Sequence, residues 1–335
     1  MRGPEKRALY APMRRPSPFL VCLLGVFLAA CGSSSDTPVN DSGVAVDGTG
    51  PDATPGDASG GDAGPDAKPD TSGLVAARPF ALKVPTGYDK SKPTPLVVLL
   101  HGYTASGATQ EAYFQFAPLA DAKTFLYAMP DGTIDKTGNR FWNATDACCN
   151  FDGSPVDDVA YVNAVIDDVE KKYNVDPKRI FLVGHSNGAF MSHRLACDSA
   201  PRIAAIAALA GDVWADSSKC NPANPVAVLQ IHGTLDSVIA YAGGKNPGLS
   251  VYPSATASVA TWAAKNGCGG SSTPGPALDL DSVLLGTETK TVEYTGCKPG
   301  GAAVLWTIEG GTHLPTLQST FPATVWSFLS AHPKP

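Results

Sequence analysis

From residue 73 onward the sequence lacks a cluster of basic residues, and the whole chain lacks any Cys-x-x-Cys pair. Without a basic patch there is no surface charge to attract phosphate groups, so nucleic acid is not expected as a partner. Without closely spaced cysteine pairs the ligand pattern of a structural zinc site is missing, and no metal is expected. The chain is weakly acidic instead, with a formal net charge of −6 over 335 residues.

The N-terminal region has the pattern of a bacterial export signal. Basic residues precede an apolar run over 19–30, which is too short to span a bilayer as a mature helix. The run ends in Leu-Ala-Ala-Cys, which resembles a lipobox, so we expect residues 1–30 to be removed and Cys31 to be lipidated. Cleavage of a simple signal peptide without lipidation is the alternative. Either Met1 or Met13 is the true start.

We expect the mature protein to be exported and bound to a membrane only through this lipid. Gly32 is not an aspartate, which under the usual lipoprotein sorting rule favours the outer membrane. Residues 31–72 are predicted to be a linker, because from residue 36 onward they hold eight Asp and one Lys among many Gly, Ala and Pro. Such a segment has little apolar surface to bury and is expected to be disordered. Residues 73–335 remain as one large domain.

Six cysteines lie in this domain, and an even number in an exported protein indicates three disulfides. Cys268 and Cys297 are expected to pair, because they flank one loop-rich segment. The adjacent Cys148 and Cys149 would need a strained ring to bond each other. We therefore expect each of them to pair with one of the other two cysteines. Those two are Cys197 and Cys220.

Short apolar runs alternate with helical patterns along the domain. Six runs are apolar on both faces, as in a covered parallel sheet, and are predicted to be strands. They are residues 96–102, 126–132, 180–186, 203–211, 226–233 and 303–311. Apolar spacings of three and four between 159 and 173 predict an amphipathic helix, capped by Asp157 or Asp158. Further helices are predicted after Ser186 and across 255–266 and 320–331.

This alternation indicates the α/β class, with a mainly parallel central sheet covered by helices on both faces. In such sheets functional groups gather at the carboxyl ends of the strands. Ser186 lies at such an end, in the pattern Gly184-x-Ser186-x-Gly188, where a predicted strand leads into a predicted helix. A glycine-rich chain produces this pattern by chance, but the strand-turn-helix placement is that of a nucleophile elbow. We therefore predict that Ser186 is a nucleophile.

A nucleophilic serine needs a histidine base that a carboxylate orients. Of the six histidines, His313 follows the last predicted strand in a Gly-rich loop, which makes it the expected base. Asp236 stands just beyond the preceding strand and is the expected acid, with Asp212 as the alternative. The backbone amides of Asn187 and Tyr103 are expected to stabilise a developing oxyanion.

At these positions the chain resembles the exported α/β-hydrolase esterases that include feruloyl esterases and polyhydroxybutyrate depolymerases. The similarity is carried by "PLVVLLHGYTASG", "FWNATDACCNFDGSPVDDVAYVNAVIDDV", "RIFLVGHSNGAFMSHRLAC", "LQIHGTLDSVIAYAGG", "NGC" and "GGTHLP", which cover nearly all of 78–331. The resemblance implies carboxylic-ester hydrolysis by Ser186, Asp236 and His313, a disulfide-bonded fold and no cofactor. Leu314 stands where the family often has tryptophan, which predicts a different substrate wall beside the base.

No apolar lid segment is evident, and the segments expected to border the site are Gly-rich and polar with single aromatic residues. We therefore predict an open cleft in which Trp142 and Tyr241 stack on a sugar or phenolic ring. Packing of both aromatic residues within the loops is the alternative. We expect feruloyl or acetyl esters of plant polysaccharide as substrates in preference to hydroxybutyrate polyesters. We expect the protein to be a monomer. A non-catalytic binding protein is disfavoured because no expected catalytic residue is missing, and a peptidase because no large cap is present.

Overall fold

The computed structural model describes residues 72–335. The predicted signal sequence, Cys31 and all but the last residue of the predicted linker lie outside the described residues. The helices are α1 (Ser72–Ala77), α2 (Gly107–Phe114), α3 (Phe116–Lys123), α4 (Asp158–Lys172), α5 (Asn187–Asp198), α6 (Ala255–Lys265) and α7 (Phe321–Ala331). Among the described residues, no helix has the length and apolar character needed to cross a membrane.

Thirteen strands are described, nine of which form the central sheet. They are β1 (Ala81–Lys83), β2 (Thr94–Leu100), β3 (Leu126–Met129), β4 (Thr133–Ile134), β5 (Arg140–Phe141), β6 (Val175–His185), β7 (Ala205–Leu209), β8 (Ala227–Gly233), β9 (Gly244–Lys245), β10 (Val251–Tyr252), β11 (Ser272–Pro274), β12 (Thr289–Tyr294) and β13 (Ala302–Ile308). Two short hairpins, β4-β5 and β9-β10, stand outside the central sheet.

The central sheet has the strand order β1-β3-β2-β6-β7-β8-β13-β12-β11. The six strands from β3 to β13 in this order pair in parallel. All six correspond to the predicted apolar runs. β1 on one side and β12 and β11 on the other add antiparallel edges, which the sequence reasoning did not predict.

Alternating residues of β2 show that both faces of the sheet are buried. Leu96, Val98 and Leu100 belong to one core cluster, whereas Val97 and Leu99 belong to a second cluster on the opposite face. Helices α4, α5 and α6 contribute to the first cluster, and α2, α3 and α7 contribute to the second. The predicted α/β architecture, a mainly parallel sheet with helices on both faces, is confirmed.

The predicted helix between the second and third parallel strands is α4, and its cap is Asp157. The Asp157 side chain accepts a hydrogen bond from the Ala160 amide at 2.9 Å. Asp158 is buried and acts differently, since its carboxylate accepts hydrogen bonds from Arg78 at 2.8 Å and from the Asn143 amide at 2.7 Å. Asp158 therefore ties the loop that follows β5 to the body of the domain.

Three disulfides join the six cysteines of the domain, and the predicted pair Cys268–Cys297 is confirmed. The prediction for the adjacent pair is wrong, because Cys148 bonds Cys149 and Cys197 bonds Cys220. Cys149 has a left-handed backbone with φ of 79°, which turns the chain between the two neighbouring side chains. The Cα atoms of Cys197 and Cys220 lie 5.1 Å apart, within the ordinary span of a disulfide.

Candidate active site

Ser186 lies in a sharp turn between β6 and α5. Its backbone has φ of 54° and ψ of −119°, a conformation that costs free energy for any residue with a side chain. A Cβ atom on Gly184 would come within 2.2 Å of the Gly188 carbonyl oxygen, and one on Gly188 within 2.0 Å of the Leu100 carbonyl oxygen. Both positions therefore require glycine. The strand-turn-helix geometry is that of a nucleophile elbow.

His313 and Asp236 are brought together by the neighbouring parallel strands β8 and β13. Gly233, the last residue of β8, pairs with Ile308, the last residue of β13, so the two following loops leave the sheet side by side. The Nδ1 atom of His313 lies 2.8 Å from Oδ2 of Asp236. The other carboxylate oxygen of Asp236 accepts hydrogen bonds from the amides of Val238 at 2.8 Å and Ile239 at 2.9 Å. The carboxylate is thereby fixed with one oxygen facing the imidazole.

Asp236 is poised to stay ionised. Burial of the carboxyl group opposes its ionisation, but hydrogen bonds from His232 and His313 and from the Ile239 amide hold the pKa of Asp236 well below its usual range. An ionised carboxylate beside Nδ1 fixes the proton on that nitrogen, because only an N–H can donate to it. The Nε2 atom of His313 is then left as a proton acceptor.

Ser186 and His313 line the same open cleft, which has a volume of about 250 Å³. His185 supports the base from behind, since its Nε2 atom lies 2.9 Å from the His313 carbonyl oxygen and the two rings are 4.9 Å apart. Burial lowers the pKa of His185 to about 3, so this imidazole is neutral and donates its Nε2–H to that carbonyl. The backbone of His313 is thus held in place by the residue that precedes Ser186.

The alternative acid, Asp212, does not contact His313. It lies at the end of β7, fully buried, where Oδ1 accepts a hydrogen bond from Gln230 Nε2 at 3.3 Å. Among the described residues its Oδ2 atom has no hydrogen-bond partner. Burial raises the pKa of Asp212 to about 7. The structure therefore places Asp236, not Asp212, beside the histidine.

The sequence reasoning missed a buried polar chain that leads to Asp236 from α6. Trp262 Nε1 donates to His193 Nδ1 at 2.9 Å, and His193 Nε2 donates to Gln230 Oε1 at 2.9 Å. Gln230 Nε2 lies 3.5 Å from His232 Nδ1. His232 Nε2 faces the Ile239 carbonyl oxygen at 2.8 Å and Oδ2 of Asp236 at 3.3 Å.

The weakest contact of this chain is the one between Gln230 and His232, because Gln230 Nε2 also donates to the Gly211 carbonyl oxygen at 2.9 Å. Burial opposes the charging of His232, but its hydrogen bond to Asp236 and the nearby carboxyl of Asp212 raise its pKa. The only sequence signal for His232 was its place in a strand-end His-Gly pair, the same kind of pair as at His101. The sequence around these two His-Gly pairs does not show which residues either histidine contacts.

The two predicted oxyanion donors flank Ser186. The Asn187 amide is the first of α5, and a Cβ atom on Gly102, beside Tyr103, would lie 3.4 Å from the Ser186 Cβ. Within residues 72–335, neither the Tyr103 amide nor the Asn187 amide donates a hydrogen bond to another group. Both N–H groups are therefore free to bind an oxyanion.

The two predicted stacking residues do not line the cleft. Trp142 is fully buried, and its Nε1 donates to the His101 carbonyl oxygen at 3.0 Å, so it supports the loop of Tyr103. Tyr241 packs edge-on against His232, and its hydroxyl lies 2.9 Å from Thr307 Oγ1. Both therefore pack within the protein, and the prediction that they bind substrate is wrong. The aromatic residues that do line the cleft are Tyr103 and Tyr113.

Among the described residues, no group of three or more His, Cys, Asp or Glu side chains is arranged to hold a metal ion. The chemistry available at the cleft is thus that of a serine, an imidazole, a buried carboxylate and two free backbone amides. Together these groups suit acyl transfer.

Comparisons with known proteins agree with this chemistry. Residues 86–248 match the family model described as Phospholipase/Carboxylesterase. The chain is 32% identical to feruloyl esterase B of Piromyces equi over 70% of its own length, and it spans 42% of that protein. It is 27% identical to feruloyl esterase D of Neurospora crassa, over 76% of this chain and 82% of that protein.

A similar fold is found in the solved structure of an acetyl xylan esterase from Aspergillus awamori. The TM-score is 0.55 at 14% identity, with 75% of this chain and 93% of that chain covered. The chain has the α/β-hydrolase fold and is similar to esterases of that fold. It spans less than half the length of feruloyl esterase B.

Proposed function

We propose that this protein hydrolyses carboxylic esters with Ser186 as nucleophile, His313 as base and Asp236 as the acid that orients it. The observation that supports this most directly is the 2.8 Å contact between His313 Nδ1 and Asp236, at the edge of a cleft that Ser186 also lines. The tight elbow at Ser186 and the free amides of Tyr103 and Asn187 support the same reading.

In the acylation step, Ser186 Oγ attacks the carbonyl carbon of the ester while its proton passes to His313 Nε2. The oxyanion that forms accepts hydrogen bonds from the amides of Tyr103 and Asn187. The imidazolium is stabilised by Asp236. When the tetrahedral intermediate collapses, His313 gives the proton to the leaving alcohol, and an acyl-serine remains.

In the deacylation step, a water molecule replaces the alcohol. His313 takes a proton from this water as its oxygen attacks the acyl carbon, and the same amides stabilise the second oxyanion. Collapse releases the carboxylic acid and returns the proton to Ser186. No cofactor takes part in either step.

For the substrate we propose feruloyl or acetyl esters of plant polysaccharide. Support comes from the names of the relatives and from the rim of the cleft, which carries apolar and aromatic surface without a covering lid. The Tyr103 hydroxyl donates to Asp135 at 2.6 Å, and its ring packs edge-on against the half-exposed Phe151. Leu314 is 60% exposed beside the base. These side chains offer flat contacts for a phenolic acyl group.

Single substitutions test the catalytic assignment. Ser186→Ala, His313→Ala and Asp236→Asn are each expected to lower kcat on a short p-nitrophenyl ester by roughly four to six orders of magnitude. Combining them should add little, because the three residues act as one unit. If Asp236→Asn kept full activity and Asp212→Asn lost activity, Asp212 and not Asp236 would be the acid.

A substrate panel tests the second part of the proposal. Methyl ferulate and acetylated xylan are expected to be cleaved faster than a hydroxybutyrate trimer, and triolein hardly at all. The trimer as the best substrate would favour a polyester hydrolase, and triolein as the best would contradict the open cleft. The proposed export and the lipid at Cys31 concern location only, and the assay needs neither.

A further inference from the structure

A second pocket of about 410 Å³ lies apart from the cleft of Ser186. Three loops and α5 build it, and none of its lining residues lines that cleft. The polar and aromatic members are Asn143, Thr145, Asp146, Asn150, Arg194 and Trp214. Nothing in the proposed catalytic steps uses these side chains.

The walls of the pocket are fixed by hydrogen bonds. Arg194 Nη1 donates to the carbonyl oxygens of Asn143 at 2.6 Å and Ala144 at 2.9 Å. The Asn143 and Asn150 side chains bond each other at 3.0 Å. On the third loop, Asn246 Nδ2 donates to the Ala147 carbonyl oxygen at 2.8 Å. The disulfide of Cys148 and Cys149 closes the same turn, so the pocket is preformed.

Two strong donors in this pocket are unused. Trp214 is largely buried as a residue, but its indole N–H makes no hydrogen bond within residues 72–335 and is not sealed from solvent, so this donor is open to a ligand in the pocket. Arg194 uses Nε for Asp198 and Nη1 for the two carbonyls, which leaves the N–H groups of Nη2 unpaired among the described residues. A ligand of this pocket therefore has to supply hydrogen-bond acceptors.

The charges in the pocket favour an anionic acceptor. The one acidic side chain of the lining, Asp146, is paired with Lys219 at 2.5 Å. The guanidinium of Arg194 has only a 3.2 Å contact with the exposed Asp198. A carboxylate on a ligand would thus meet a cation whose planar N–H groups suit carboxylate geometry.

We propose that this pocket binds an acidic sugar unit, a hexuronate carried as a side group on a plant polysaccharide. Its carboxylate accepts from Arg194 Nη2, and a ring or hydroxyl oxygen accepts from Trp214 Nε1. The choice of a polysaccharide rests on the proposed function. The pocket would hold the polymer beside the reaction and raise the local concentration of its ester groups.

The position of the pocket fits this role. Arg194 lies eight residues beyond Ser186 on α5, about 12 Å along the helix axis at the usual rise per residue. The loop that forms its wall is tied to the start of the same helix, because the Trp142 amide donates to Asn187 Oδ1 at 2.6 Å and Asn187 Nδ2 donates to the Trp142 carbonyl at 3.0 Å. One rigid segment therefore joins the two sites.

Calorimetric titration of the Ser186→Ala protein tests the proposal without turnover. The ligand is a xylo-oligosaccharide that carries one glucuronic acid, and the unsubstituted oligosaccharide is the comparison. The acidic ligand is expected to bind at least about tenfold more tightly, as is typical of a charged hydrogen bond. Adding Trp214→Phe, which removes the N–H donor and keeps an aromatic ring of smaller size, or adding Arg194→Lys should each weaken that binding about tenfold.

The matched control is Trp306→Phe, a tryptophan that is similarly buried but lies on the opposite face of the sheet. It should leave binding unchanged, and circular dichroism checks that each variant is folded. Equal affinity for both oligosaccharides, or affinity insensitive to a folded Trp214→Phe protein, would overturn the proposal. Because binding is measured in an inactive protein, a failure of the proposed ester hydrolysis would leave this result standing.

Discussion

Replacing Asp212 by asparagine should stabilise the protein at alkaline pH. Asp212 is fully buried, one of its carboxyl oxygens has no partner among the described residues, and burial raises its pKa to about 7 from an ordinary value of 3.8. In the folded state the neutral acid is therefore favoured, while in the unfolded chain the carboxyl ionises near its ordinary pKa. Asparagine keeps the shape of the side chain, and its Oδ1 can still accept from Gln230.

The magnitude follows from the pKa shift. A shift of about three units, at about 1.4 kcal/mol per unit, gives a penalty on the order of 4 kcal/mol once the pH exceeds the folded pKa. Ionisation of Asp212 destabilises the folded state because the pKa of this carboxyl is higher in the folded protein than in the unfolded chain. The wild-type protein carries no penalty below the unfolded pKa and loses stability as the pH rises through the folded pKa.

Urea unfolding of wild type and Asp212→Asn at about pH 4 and about pH 8 measures this difference. We expect similar free energies of unfolding at the lower pH and a more stable variant, by up to a few kcal/mol, at the higher pH. Asp236→Asn is the matched control, because a lowered pKa stabilises the folded state at every pH above the unfolded pKa, so this variant should be less stable than wild type by a similar amount at about pH 4 and about pH 8. A gap between wild type and Asp212→Asn that does not change with pH would refute the reasoning.

Two further predictions concern the cysteines. Thiol titration of the denatured, unreduced domain should find no free cysteine among residues 73–335, and a peptide map should show Cys148 bonded to Cys149; two or more free thiols would contradict the disulfide assignment. The native protein should partition into detergent, and Cys31→Ala should release it or leave it unprocessed. If mass spectrometry found no added acyl mass at the mature N-terminus, this result would contradict the prediction that Cys31 is lipidated.

The parallel strands and the elbow could be predicted because local sequence determines them. A strand covered on both faces needs an unbroken apolar run, and β2, β7, β8 and β13 are buried at every residue. The antiparallel edge differs, since β12 alternates buried and exposed residues and β11 is fully exposed. Neither forms an apolar run, and each is recognised only by its partner, since β12 pairs with β13 and β11 pairs with β12.

The side-chain partners could not be predicted in the same way. Trp142 and Tyr241 have the composition of a binding rim, but the orientation of a loop residue depends on contacts far away in sequence, such as His101 and His232. Pairing of Cys148 with Cys149 depends on a left-handed backbone at Cys149 that no glycine or asparagine marks. In each case tertiary structure decided between alternatives that the sequence left open.

The buried polar chain explains how two carboxyl groups can lie behind one histidine. Both are close to His232, but only Asp236 receives backbone amides and the imidazole of His313, which stabilise its charge. For Asp212, burial outweighs the favourable effects of His232 and of a hydrogen bond from Ser258, and its pKa is raised to about 7. In the proposed acyl transfer, a second ionised carboxylate close to Asp236 would repel its charge. Keeping Asp212 neutral leaves Asp236 as the single charge that orients His313.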